Sequence, residues 1–208
     1  MATPAERLAN NLNFGALGKA TELRWEVMQK HFKSGHKSMK DIGSCVGYFC
    51  ISASEKFGLQ TFGIEMNDMH LALSRRAVPD NLKNKCSFMN MIVEPRNAST
   101  MPHTDITLLL SVWHHWVYNY GLDEATVMLQ KVWDSTSSDL YFETGEEETK
   151  EEFNLPFPSN TKASQWIKDY LQSSLKGAHV ETLGKFEAGN YEHYSQKSYK
   201  RTLFKVSR

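Results

Sequence analysis

Asp41-Ile42-Gly43-Ser44-Cys45-Val46-Gly47-Tyr48-Phe49 is the stretch whose reading decides the fold. It is a turn of small residues between two segments of different character. Before it, residues 38–42 (SMKDI) read as a short strand, although Lys40 interrupts what should be an apolar, buried run. After it, residues 48–57 (YFCISASEKF) read as a helix with Phe49, Ile51 and Ala53 near its apolar side, and Gly58 follows where a helix C-terminus favours glycine. Glycines at 43 and 47 let the backbone turn sharply and let another molecule approach it closely.

The strand–helix alternation continues outward. Residues 60–64 read as a second strand closed by Glu65, 68–77 as a helix stopped before Pro79, and 85–89 as a third short strand. Residues 105–112 (DITLLLSV) give the clearest strand, a continuous apolar run that suits a parallel sheet covered on both faces. A helix over 123–133 carries Ala125, Met128, Leu129 and Val132 on one side, and a strand over 140–142 ends at Glu143. An acidic, proline-containing loop (146–160), a helix (161–175) and two late strands (179–186 and 201–206) follow. Upstream, 20–32 reads as a helix with a stripe of Leu23, Val27, Met28 and Phe32, flanked by Trp25. This order predicts an α/β fold: a doubly wound, mostly parallel sheet of about seven strands, helices on both faces, and an antiparallel strand pair at the C-terminus. The expected organisation is one domain over 38–208, with a helical extension over 1–37 packed on its core.

Composition agrees with a globular domain. Of the 208 residues, 40% are hydrophobic and 23% charged. A formal net charge of zero argues against a strongly basic nucleic-acid binder. The charge is uneven, however. Lys19, Arg24, Lys30, Lys33, Lys37 and Lys40 crowd the segment before the turn, and seven acids with one lysine fill 139–152. These are either two solvated faces or, for the basic stretch, an attraction for an anionic substrate. Three cysteines (Cys45, Cys50, Cys86) without a CxxC pair fit no disulfide framework or structural zinc site and suggest a reducing compartment. Residues 106–110 are the longest apolar run, far short of the roughly 20 residues of a spanning helix. The N-terminus lacks the apolar core of a signal peptide, so cytoplasmic residence is expected, with no membrane association.

A glycine turn between strand and helix offers free backbone N–H groups to polar ligand atoms, which is where nucleotide-type cofactors bind in such sheets. An acid closing the following strand then suits ribose hydroxyls. Glu65, 24 positions after Asp41, is that acid.

Asp41 to Phe49 resembles motif I of the class I S-adenosyl-L-methionine (SAM)-dependent methyltransferases, whose pattern is an acid followed by glycines at alternating positions in a Rossmann-like fold. The resemblance spans about residues 38–145. It implies SAM as cofactor, held by Asp41, Gly43, Ser44, Cys45, Gly47, Tyr48 and Phe49, with Glu65 at the ribose-binding position and Met66 beside it. Asn90 and Met91 fall where that family contacts adenine. Ser111, Val112 and Trp113 fall at the end of the fourth strand, beside the cofactor and the substrate-facing loop. For Met91 and Trp113, plain core packing is the alternative. An acid at the first position favours SAM over NAD, whose fingerprint begins with glycine. Cys45 departs from the pattern, since many members have glycine there.

Residues 111–121 (SVWHHWVYNYG) are dense in aromatics and begin where the best strand ends, at the sheet edge where ligands bind. His114 or His115 there suits a general base or a phosphate ligand, and the aromatic rings suit stacking. The alternative is an aromatic loop packed on the sheet with both histidines satisfied. Glu143, at the same edge, suits orientation of a substrate hydroxyl or of a histidine, or is a solvated carboxylate. Ser111-Val112 followed by Asn119-Tyr120-Gly121 is similar to the same region of the RNA methylphosphate-capping family, and Ser111-Val112-Trp113-His114-His115 to bacterial enzymes that methylate a terminal phosphate on polysaccharides. Both relatives methylate phosphate oxygen. The expected reaction is O-methylation of a small-molecule or terminal phosphate or hydroxyl acceptor. A nucleic-acid methyltransferase, a SAM-binding partner module without catalysis, and a dinucleotide-dependent oxidoreductase are the alternatives.

Overall fold

The computed structural model describes residues 15–188 and 199–208, with only the backbone for 15–18. The first fourteen residues of the expected extension, with the part of the N-terminus read for a signal peptide, lie outside the described residues.

The elements in chain order are α1 (Gly15–Met28), β1 (Ser38–Ile42), α2 (Tyr48–Phe57), β2 (Gln60–Glu65), α3 (Asp68–Ala77), β3 (Cys86–Asn90), β4 (Thr104–Leu110), α4 (Trp113–Asp134), β5 (Thr136–Glu143), α5 (Ala163–Ser174), β6 (His179–Ala188) and β7 (Tyr199–Ser207). The seven strands form one sheet in the order β3-β2-β1-β4-β5-β7-β6. β1 to β5 run parallel, and β7 runs antiparallel between β5 and β6. The doubly wound α/β sheet read from the sequence is therefore the sheet observed.

Alternation along the strands sorts the core into two layers. Ile42, Ile64, Leu109, Leu140, Phe142 and Phe204 face one side, where α4 supplies Met128, Leu129 and Val132 and α5 supplies Ile167 and Leu171. Met39, Leu108, Leu110, Tyr141 and Leu203 face the other, against Trp25 and Met28 of α1 and Cys50 and Ala53 of α2. Local residues bound the helices, and Gly58 ends α2 as read. Gly58 takes the left-handed conformation (φ 69°) behind α2. The Asn67 side chain accepts from the N–H groups of Met69 and His70 and so caps α3.

Lys40 is fully buried in β1. Its Nζ donates to Pro102 O at 3.1 Å, Ser135 O at 2.8 Å and Ser135 Oγ at 2.9 Å. Ser135 is the C-cap of α4. The lysine that disturbed the strand pattern thus places its charge at the negative end of a helix, with three acceptors for three donors.

Two readings need correction. The aromatic segment after β4 is not a loop: α4 begins at Trp113, and only Gly121 (φ 80°, ψ 164°) breaks it. Trp113, Trp116 and Val117 share a buried face at helical spacing, but exposed Tyr118 and Tyr120 and the break at Gly121 blur the period. The charged stretches are not simply two solvated faces either. The basic stretch meets the acidic one where Arg24 pairs with Glu143 and Lys33 and His36 approach Asp139, while cations of the late strands take other acids: Lys205 pairs with Asp139, Lys185 with Glu146, and Arg201 with Glu148. Among the described residues no helix is long and apolar enough to cross a membrane.

Candidate functional site

The carboxyl ends of β1, β2, β4 and β5 share one edge of the sheet, and the loops leaving them build the site. The turn after β1 folds back over β2, because Gly43 N–H and Ser44 N–H both donate to Ile64 O, at 2.8 and 3.1 Å. Gly43 (φ 77°) and Gly47 (φ 80°) hold left-handed conformations. A Cβ at Gly43 would lie 2.6 Å from Val112 Cγ2, and one at Gly47 would lie 2.6 Å from the Phe88 ring. Conformation and space both demand glycine at these two positions. Gly47 is the N-cap of α2 and brings no side chain to the N–H groups of its first turn.

Cys45 also has positive φ (48°), at a position that would suit a third glycine. Its N–H donates to Glu65 Oε2 at 2.9 Å, and its Sγ lies 3.7 Å from His70 Nδ1. Burial pushes its thiol pKa up to about 11. Glu65, at the end of β2, also accepts from Asn67 N–H at 2.8 Å. Its own carbonyl accepts from Met91 N–H at 3.1 Å, which ties the end of β3 to the end of β2. Met66 is exposed, Met91 half-buried, and Asn90, the last residue of β3, donates to Asp68. Asp41 is buried and its Oδ2 has no hydrogen-bond partner. Burial, with a smaller contribution from Glu65, pushes its carboxyl up to about 7.

Asp41, Gly43, Ser44, Cys45, Gly47 and Glu65 thus converge on one edge, with Asn90 and Met91 beside them and Ser111 and Val112 across the turn. Tyr48 and Phe49 contribute as backbone. Their rings, 5.3 Å apart, pack toward α1, where Phe49 lies 6.4 Å from Trp25. Trp113 is a core residue: it is entirely buried against Phe142, Trp166 and Tyr170.

Across the turn, Ser111 (φ 59°) follows β4 in a conformation few non-glycine residues adopt. Its Oγ donates to Glu143 Oε1 at 3.0 Å and accepts from Arg201 Nη1 at 3.1 Å. Glu143 is not a solvated carboxylate. It is fully buried, its Oε1 also accepts from Arg24 Nη1 at 3.2 Å, and its Oε2 has no partner. Burial raises its pKa, opposed chiefly by Arg24.

His114 is buried, with Nδ1 accepting from Gly145 N–H at 3.2 Å and 3.1 Å from Thr144 Oγ1. Accepting at Nδ1 fixes the proton on Nε2. Burial, with His115 and Arg201, pushes its pKa far below the ordinary histidine range. The ring is therefore a neutral donor, and the general-base option for His114 falls away. His115 is exposed on the first turn of α4, its ring 4.3 Å from that of His114, and Phe153 lies against both. Phe153, Arg24 and Arg201 were not legible as site residues. Arg24 and Glu143 are 119 positions apart and Ser111 and Arg201 are 90 apart, and no local spacing signals such pairs. Among the described residues no group of three His, Cys, Asp or Glu side chains is arranged to hold a metal ion.

No protein-family model matches the sequence, and no curated protein sequence matches it. Solved structures do match the fold. The bifunctional kinase-methyltransferase WbdD superposes with a TM-score of 0.69 at 19% identity, over 89% of this chain and 39% of that one. The chain thus spans about two fifths of WbdD. Magnesium protoporphyrin IX methyltransferase (ChlM) from Synechocystis PCC 6803, with bound SAM, gives 0.61 at 14% identity over 97% and 83%. Precorrin-6y C5,15-methyltransferase from Geobacter metallireducens GS-15 gives 0.58 at 15% over 90% and 87%.

Proposed function

We propose that this chain, whose fold is that of the class I SAM-dependent methyltransferases, transfers the methyl group of SAM to an oxygen of a small-molecule or terminal phosphate or hydroxyl acceptor. The observation that carries the cofactor is the cradle itself: two glycines held at positive φ, an uncapped α2 N-terminus, and buried Glu65 closing the neighbouring strand. The unpartnered Asp41 Oδ2 fits a cationic ligand, as SAM is. Glu65 would hold the ribose, and Met66, Asn90 and Met91 the adenine. When bound, SAM supplies a methyl group on a sulfonium, already activated for in-line displacement.

The chain's own residues then have to position and desolvate the acceptor. Glu143 Oε2, buried and unpartnered, accepts a hydrogen bond or a proton from an acceptor hydroxyl. Arg24 and Arg201 oppose the rise that burial imposes on the Glu143 carboxyl, and they orient an acceptor that carries negative charge. His114 acts as a fixed neutral donor, and His115, at the rim, is the histidine left to serve as a base or phosphate ligand. The inward turn of Arg24, His36 and Lys40 weighs against an extended nucleic-acid surface.

Calorimetry with SAM, followed by transfer of labelled methyl from SAM to a panel of phosphate monoesters, sugar hydroxyls and 5′-phosphorylated RNA, tests the reading. Binding with transfer to one class is expected. No SAM binding overturns the cofactor. Binding without transfer to any of the panel supports a non-catalytic SAM-binding module instead.

A further inference from the structure

Three segments that leave the carboxyl ends of strands expose large apolar side chains: Met66 and Met69 after β2, Ile92 after β3, Tyr118 and Tyr120 after β4. Apolar exposure gathered at one edge of a sheet marks a surface that binds something. Met66, Met69 and Ile92 flank Asn90 and Met91, so the adenine of the cofactor accounts for them. It does not account for Tyr118, which is 62% exposed.

Tyr118 follows His115 by three positions on α4, so both stand on one helix face. Its ring meets that of Phe153 edge to face, with centroids 5.8 Å apart and an interplanar angle of 75°. Phe153 also meets His115 at 4.9 Å and 88°, and His114 at 4.7 Å and 80°. The segment that carries Phe153 is anchored: Phe153 N–H donates to Thr149 O at 3.0 Å, and Leu155 and Phe157 are buried in the core. The four rings therefore form a wall that runs from solvent to Thr144 and Gly145, where His114 Nδ1 is held. Arg201 borders the same space. Its charge acts on His114, and its Nη1 donates to Ser111 Oγ at 3.1 Å. The wall thus ends beside a cation. One edge-to-face neighbour leaves Tyr118 with ring surface open to a second ring.

Resting on the methyl-transfer reading above, we propose that Tyr118, backed by Phe153, is a specificity-determining subsite that stacks a flat aromatic ring of the acceptor, while Arg201 takes the acceptor's negative charge. The substrate class is an aromatic phosphate monoester rather than an aliphatic one. Transfer to it balances without a base. A phosphate oxygen forms the bond to the methyl carbon, and the sulfonium C–S bond breaks with its electron pair going to sulfur. The products are a neutral thioether and a phosphodiester with one negative charge fewer than the monoester dianion. One stacked ring is worth about tenfold in affinity.

Calorimetry of phenyl phosphate and of glycerol 3-phosphate, on the protein saturated with the demethylated product of SAM, isolates the contribution of the ring. Phenyl phosphate is expected to bind about tenfold more tightly. Tyr118→Ala erases that preference and leaves the affinity for glycerol 3-phosphate unchanged, whereas Tyr118→Phe keeps it. The side chain is exposed, so neither substitution threatens the fold. Methyl transfer from labelled SAM to phenyl phosphate shows the same loss in KM for Tyr118→Ala, with kcat held within about twofold. Equal affinity for the two esters, a preference that survives Tyr118→Ala, or binding of neither ester overturns the inference and leaves the cofactor reading standing. Failure of the demethylated product to bind removes the cofactor reading instead, and the same comparison on the free protein then decides for or against the subsite. A 5′-phosphorylated RNA that binds more tightly than phenyl phosphate, with a steep salt dependence, also overturns the inference, because the wall then serves a nucleic-acid chain.

Discussion

Arg24 of α1 and Glu143 of β5 form a buried ion pair, 3.2 Å between Nη1 and Oε1, with side-chain exposures of 10% and 0%. The pair binds the first described helix to the carboxyl edge of the sheet, and Arg24 also donates to Glu187 O of β6 at 3.1 Å. Breaking a buried pair leaves an uncompensated charge, which costs about 3–5 kcal/mol. Arg24→Met is expected to lose that much in urea denaturation. Arg24→Met with Glu143→Gln should recover most of it, because no charge is then stranded.

Lys40 gives a pH signature. Burial lowers its pKa to about 7, whereas an unfolded lysine titrates near 10.4. Between those values the unfolded chain binds more protons, so this group makes stability rise with pH from about 7 to 10. Lys40→Met removes that slope. It also leaves Pro102 O and Ser135 O without their donor, at a cost of about 1–3 kcal/mol at pH 7. Thermal unfolding of both proteins across pH 7 to 10 checks the two effects together.

His114 should be visible as a histidine that does not titrate. With Nδ1 accepting from Gly145 N–H and the ring buried, nitrogen-15 spectra are expected to show one neutral Nε2–H tautomer unchanged from pH 5 to 8. A shift with a midpoint in that range would refute the assignment of the ring as a fixed donor.

Gly47→Ala tests the cofactor turn. The new Cβ would have to enter the space of the Phe88 ring at a backbone φ of 80°. Left-handed conformation alone costs about 1–2 kcal/mol for a residue with a Cβ. Loss of that order in stability is expected, with a larger loss in SAM affinity by calorimetry, since the α2 N-terminus must move.

The sheet was legible because its signals are local. The run from Ile106 to Leu110 is apolar but for Thr107, and Gly43, Gly47 and Gly58 mark the ends of elements by their conformation. The turn and Glu65 could be placed together for the same reason, being a single turn and one acid at a fixed spacing. The cluster around Glu143 could not. Its arginines come from α1 and β7 and reach Ser111 and Glu143 only through the order of strands. The helical start of α4 was hidden by Gly121, and Lys40 misled because its partner is a helix end 95 positions away.

The position of β7 has a consequence for how the chain is made. It lies between β5 and β6, pairing with both. As synthesis proceeds, β6 leaves the ribosome with no neighbour to bond, and β5 keeps an open edge until Tyr199–Ser207 emerges. Until Tyr199–Ser207 is inserted, one edge of β5 and both edges of β6 stand unpaired, and association with other chains is most dangerous in that interval. Arg201 arrives on that same strand, so the contact with Ser111 forms in the step that closes the sheet between β5 and β6.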